Sequence, residues 1–191
     1  MAQGSVIYKP KQLPSRELNQ GGTSSSQLIF LDNSSNPLVC YINVPAMAST
    51  TGKAASMFRI VAGGRITGGT TSSFTATLNW GTSATTTADT AMHASASVAC
   101  NSVSGFWGIE ATCWIDSTST KLDGYACDMV SGSTTTFTAI KKLDNTISAS
   151  STPALSLTTQ TGQGFVVGGT WSSGNAGNIA YLDVFQVEMV G

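Results

Sequence analysis

Charge is scarce in this sequence. Asp, Glu, Lys and Arg make up 10% of its 191 residues, against about 25–35% on the surface of an ordinary soluble domain. The formal net charge of -1 leaves no broad basic field, which excludes nucleic acid as the main partner. Histidine occurs once, as His93, so any Ser-His-acid triad would have to use it, and no GxSxG elbow is present. Its setting, between Met92 and Ala94 in a loop-like segment, points to a surface or capping role. The four cysteines, Cys40, Cys100, Cys113 and Cys127, show no CxxC spacing, match no zinc pattern with His93, and are expected to stay thiols. No apolar run of signal-peptide length follows Met1, and no window reaches a membrane span, so synthesis and folding in a cytoplasm and no membrane partner are expected.

Helical periodicity is absent too. Apolar residues never recur at 3.6-residue spacing across a window; "TADTAMHASAS" (87–97) suits a helical turn or a loop. No P-loop or dinucleotide fingerprint appears, and "DSTSTKLDG" (116–124) lacks the ligand spacing of an EF-hand, so no cofactor or metal is expected.

What fills the chain instead is Ser, Thr and Gly around short alternating runs. "QLIFLD" (27–32), "PLVCYINV" (37–44), "SMFRIVAGG" (56–64), "FTATLNWG" (74–81), "SASVACNSV" (95–103), "DGYACDMV" (123–130), "TTFTAIKKL" (135–143), "ALSLTTQ" (154–160), "GFVVGGTW" (164–171) and "AYLDVFQVEMV" (180–190) all read as strands. The paired glycines of "VAGGRITGG" and "VVGGTWSSG" are expected where strands bend or end. Many evenly spaced strands predict an all-β, two-sheet antiparallel sandwich, jelly-roll-like, with an immunoglobulin-like sandwich as the alternative. Residues 28–191 form that domain. A chain this long buries about 70% of its surface, enough for a core without staples.

Residues 1–27 differ. Pro10 and Pro14 deny helix and ladder, and "NQGGTSSSQ" closes the segment as a joint. The segment is expected to be an extended N-terminal arm that buries Val6, Ile7, Tyr8 and Leu13 on a partner, with Tyr8, Lys9, Lys11 and Arg16 as its contact residues.

"WGIEATCWIDST" (107–118) alternates almost without fault. Trp107, Ile109, Ala111, Cys113 and Ile115 share one face, while Glu110, Thr112, Trp114 and Asp116 share the other. By the same parity Trp80 and Trp171 belong to the core. An exposed Trp114 beside Glu110 or Asp116 would stack a sugar ring or anchor a protein interface; a strand covered on both faces would instead bury it. The acids Glu110, Asp116, Asp128, Asp183 and Glu188 are too few to suggest a glycosidase pair over ion pairing or interface roles. The last strand carries Tyr181, Phe185, Val187 and Met189 on one side and Leu182 and Val184 on the other, which asks for cover from both sides.

"FRIVAGGRITGGTTSSFTATLNWGTS", "FWGIEATCWIDSTSTKLDGY" and "GFVVGGTWSSGNAGNIAYLDVFQVE" together resemble the capsid decoration, or cement, proteins of tailed bacteriophages. The likeness spans most of residues 56–188 and rests on Gly, Thr, Ser and aromatic texture and on strand order. It implies a jelly-roll homotrimer on the capsid exterior, bound to the major capsid protein, with no enzymatic activity and no catalytic residues. The alternative is a carbohydrate-binding or receptor-binding module of a phage tail, holding a glycan through Trp114 with Glu110 or Asp116.

Overall fold

The computed structural model describes residues 5–8, 16–19, 28–29, 39–41, 57–81, 90–116, 121–148, 150–151, 155 and 164–190. In chain order the strands are β1 (Ser5–Tyr8), β2 (Arg16–Asn19), β3 (Leu28–Ile29), β4 (Val39–Tyr41), β5 (Met57–Thr67), β6 (Ser73–Gly81) and β7 (Thr90–Ala94). They continue with β8 (Val98–Ala99), β9 (Ser104–Asp116), β10 (Lys121–Ser131), β11 (Thr135–Lys142), β12 (Gly164–Trp171), β13 (Ile179–Leu182) and β14 (Val184–Val190). The fold is an all-β sandwich of two antiparallel sheets. The large sheet runs β1-β14-β5-β9-β10-β11, with β13 beside β5 and β2; the small one runs β3-β12-β6-β7, with β4 and β8 alongside. Consecutive β5 and β6 lie in opposite sheets and pair with β14 and β12, the wound hairpin of a jelly roll.

Period-2 alternation builds the core. Phe58, Ile60, Ala62 and Ile66 of β5 and Trp107, Ile109, Ala111, Cys113 and Ile115 of β9 point inward, and Phe74, Ala76, Leu78 and Trp80 of β6 meet them from the small sheet. Trp80 and Trp171 are fully buried. Aromatic rings tie the layers together: Phe58 meets Phe165 edge-on at 5.7 Å, and Phe74 lies 6.2 Å from Trp107 and 4.9 Å from Trp171.

Two expectations need correction and one holds in part. Of the glycine pairs, Gly68 and Gly69 follow the end of β5 as expected, while Gly63 and Gly64 sit inside β5 and Gly168 and Gly169 inside β12. The segment around His93 is no helix or loop, because Thr90–Ala94 is a strand paired to β6. The last strand is two strands, broken at Asp183, whose amide donates to the Gly63 carbonyl at 2.8 Å. That break switches parity, so Ala180 and Leu182 before it and Phe185 and Val187 after it are all buried in the same core. The two-sided apolar pattern there records a kink.

The kink also explains one glycine. The Tyr181 carbonyl is projected into the place a Gly64 Cβ would occupy, and the Trp107 Nε1–H donates to that oxygen at 3.0 Å. A side chain at 64 meets backbone that cannot yield.

Of the N-terminal segment, β1 pairs with β14 and β2 with β13, which lays both stretches against the large sheet. Pro10 and Pro14 lie outside the described residues. The "ALSLTTQ" strand lies outside the described residues apart from buried Leu155.

Candidate functional site on the outer face of the large sheet

Side chains of the large sheet that do not enter the core form its outer face. Register places Met57, Arg59, Val61, Gly63 and Arg65 of β5 beside Trp114, Thr112, Glu110, Gly108 and Phe106 of β9, and those beside Asp123, Tyr125, Cys127, Met129 and Ser131 of β10. Among the described residues, the exposed large apolar side chains are Met57, Phe106, Tyr125, Met129, Phe137, Ile140, Val184 and Val190, and all eight belong to this face. Phe137 pairs with Met129, Val184 with Gly63 and Val190 with Met57, while Ile140 lines a small hollow with Tyr125 and Cys127. Phe137 and Ile140 stand out furthest, at 69% and 76% exposure.

One register row crosses the face as Val184, Gly63, Gly108, Met129 and Phe137. Its two central residues lack side chains, so the row is a trough of about 430 Å³ floored by peptide and walled by Val61, Val184, Met129 and Phe137, with Glu110 and Cys127 alongside. Gly108 is not required by the fold: a Cβ there would find only the Ala62 carbonyl, 3.7 Å away. The two glycines therefore predict opposite results. Gly108→Ala is expected to stay within about 0.5 kcal/mol of the parent in urea unfolding, whereas Gly64→Ala, overpacked against backbone, loses about 1–3 kcal/mol or more.

Three ion pairs lie on this face. Arg59 meets Glu110 at 2.7 Å, Lys142 meets Asp123 at 3.1 Å, and Arg65 grips Asp183 through two bonds of 2.9 Å while its guanidinium lies 4.7 Å from the Tyr181 ring centroid. Hydrogen bonding to Asp183 and its charge push the Arg65 pKa up. The Cys127 thiol is also pushed up, by burial and then by Glu110 and Asp128, so it remains a protonated thiol and no nucleophile. Burial raises Cys113 and Cys100 as well, and the three cysteines Cys100, Cys113 and Cys127 are free.

Trp114 is half-buried on this face, tilted against Tyr125 at 5.4 Å between centroids. Glu110 is exposed on the same strand. Tyr8 and Arg16 lie in β1 and β2, with β14 and β5 between β1 and β9, so the structure does not bring the arm residues to Trp114. Lys9 and Lys11 lie outside the described residues. The trough and its neighbours Phe106, Met129 and Phe137 were missed in the sequence, although parity offers a signal: Phe106 shares a face with Glu110, and Met129 with Asp123.

His93 is the larger correction. It is fully buried, donating or accepting through Nε2 with Asp128 Oδ2 at 2.8 Å across the sandwich, and its Nδ1 faces Asp144 Oδ2 at 3.5 Å. Both ring nitrogens face carboxylates, so neither is turned to a hydroxyl. Burial raises the Asp144 carboxyl, but hydrogen bonds from Lys141 and the Ala94 amide, with the Lys141 and His93 charges, outweigh it and hold it below the ordinary 3.8. Asn145 adds bonds to the carbonyls of Met92 and Ala91. The group fastens β7, the edge of the small sheet, to β10 and the loop after β11. Among the described residues no cluster of three or more His, Cys, Asp or Glu could hold a metal.

No family model and no curated protein matches this chain. Among solved structures it is similar to the metal-free form of lectin I-B4 from Griffonia simplicifolia, at 9% identity over the full length of both chains and a TM-score of 0.33. A likeness at that level assigns neither ligand nor activity.

Proposed function

We propose that this protein is a structural subunit of a bacteriophage capsid exterior, a decoration protein that works by contact and performs no reaction. The observation that carries the reading is the gathering of all eight exposed large apolar side chains on one sheet face. Single exposed apolar residues are ordinary on any protein; a contiguous set on one face marks a surface that another protein covers. Paired charges on that face and the 10% charged composition agree with a body that spends its life stacked. The capsid as partner comes from the resemblance of residues 56–188 to phage decoration proteins. In this reading the N-terminal segment carries the contact with the major capsid protein through Tyr8, Lys9, Lys11 and Arg16.

The test is co-sedimentation with empty heads of a tailed bacteriophage, assembled from its major capsid protein alone. The full chain is expected to bind, and Lys9→Glu with Lys11→Glu to abolish binding in moderate salt. Binding unchanged by the reversals refutes the arm contact, and a full chain that never binds heads refutes the capsid reading.

A second reading, a glycan-binding module, has its own observation: Trp114 and Tyr125 form an aromatic pair next to Asp123 and Thr112 on the same face. Binding on a glycan array that Trp114→Ala abolishes would favour it.

A further inference from the structure

We propose that the outer face of the large sheet is covered by a second copy of this chain, in a two-fold pair whose axis runs along β10 over Met129. The inference rests on the reading of that face as a protein-covered surface and names its occupant.

The face carries a knob and a hole at matched positions. Gly108, Met129 and Phe137 lie in one register row on three adjacent strands, with the hole one strand to one side of Met129 and the knob one strand to the other. Rotation by a half-turn about a line parallel to β10 through Met129 exchanges the two sides. It sets Phe137 of each copy above Gly108 of the other and brings the two Met129 residues together. Such reciprocity is what an isologous interface requires. The same operation keeps strand directions aligned, the common packing of one sheet on another, at a separation of about 10 Å.

Size and charge fit as well. The trough of about 430 Å³ has room for a phenyl ring, and Phe137 is the most exposed aromatic side chain described. On the outward parity of the overlapping strands β9, β10 and β11 the ionic residues are Glu110, Asp116 and Asp123 against Lys121 and Lys142, so what counts is which of them the rotation brings together. Lys142, which pairs with Tyr125 in register, is carried over Thr112 of the other copy, beside Glu110. Edge-to-edge continuation of the sheet is the less favoured route, because β11 ends in two lysines and is interrupted by a bulge opposite Ala126 and Asp128. The result is a pair in place of the homotrimer that the resemblance implies.

The experiment joins solution mass to cross-linking. Sedimentation equilibrium of the full chain is expected to give twice the 19.6 kDa of one copy, and Phe137→Ser to weaken self-association by at least about thirtyfold, the effect of losing a central anchor. In a Cys127→Ser background, Met129→Cys is expected to be joined into a covalent dimer by a bismaleimide spanning about 10 Å, the separation of packed sheets, while Ser133→Cys, exposed on the neighbouring turn, is not. A monomer, a mass of three copies, or equal cross-linking at 129 and 133 overturns the proposal. Capsid binding that survives a monomeric result would leave the structural reading intact, and a dimer that ignores heads would leave this inference intact.

Discussion

His93→Ala lowers the stability of this protein by about 3–5 kcal/mol, because it strands the Asp128 carboxylate in the core. Asp128 is 3% exposed, its Oδ2 is bound by His93 at 2.8 Å, and its Oδ1 has no hydrogen-bond partner among the described residues. Removing the imidazole therefore leaves both oxygens unpaired in a low-dielectric interior. Removing the carboxylate as well takes away the unpaired charge, so His93→Ala with Asp128→Ala is expected to be more stable than His93→Ala alone. Urea unfolding at one fixed protein concentration, read as a double-mutant cycle, checks this. Losses that simply add would mean the two groups are independent and that the clasp holding β7 is not one.

Phe74→Ala is the second large effect, about 3–5 kcal/mol, the cost of a cavity where a fully buried ring stood. Phe74 joins the layers: it tilts at 55° to Trp107 of the large sheet and at 51° to Trp171 of its own. Its ring also takes the space above Gly169, where a Cβ would come within 2.5 Å of it. Gly169 has no side chain to move into the gap. Phe74→Leu keeps part of the contact and is expected to lose markedly less. Thermal melts report both, with each kcal/mol lowering Tm by about 2–4 °C for a chain of this size, and near-UV circular dichroism should lose tryptophan signal in Phe74→Ala. A melt unchanged by Phe74→Ala would contradict the packing described.

The architecture was legible because alternation fixes it. "FTATLNWG" and "WGIEATCWI" each separate into an apolar and a more polar face, and the apolar faces are inward in the structure; the other face is outward in β9, but in β6 Thr77 and Asn79, expected outside, are buried as well. What the sequence hid were events that break the period. The kink at Asp183 reverses parity within "AYLDVFQVEMV", and no local residue announces it, because its cause is a hydrogen bond to Gly63, distant in sequence. His93 was misplaced for the same reason: its partner lies 35 residues on, in the opposite sheet. A lone histidine between small residues gives no hint of that reach.

The candidate face was half legible. Parity put Trp114 and Glu110 on the outside of β9, where they are, but their neighbours across the sheet depend on register that spacing alone does not supply. Thus the row from Val184 to Phe137, and the trough at its middle, emerged only when four strand pairings were in place. Gly108 illustrates the difficulty: in the sequence it is one of 20 glycines, and only the open space above it separates it from Gly64.

The most direct measurement of the central claim, that this sheet face is made to be covered, is oxidative footprinting of the chain in its assembled state and at high dilution. Met57, Met129, Phe106, Tyr125 and Phe137 are expected to be modified readily in the dilute chain and protected on assembly, while buried Met92 stays unreactive in both. Equal modification of the five in both states would contradict the account.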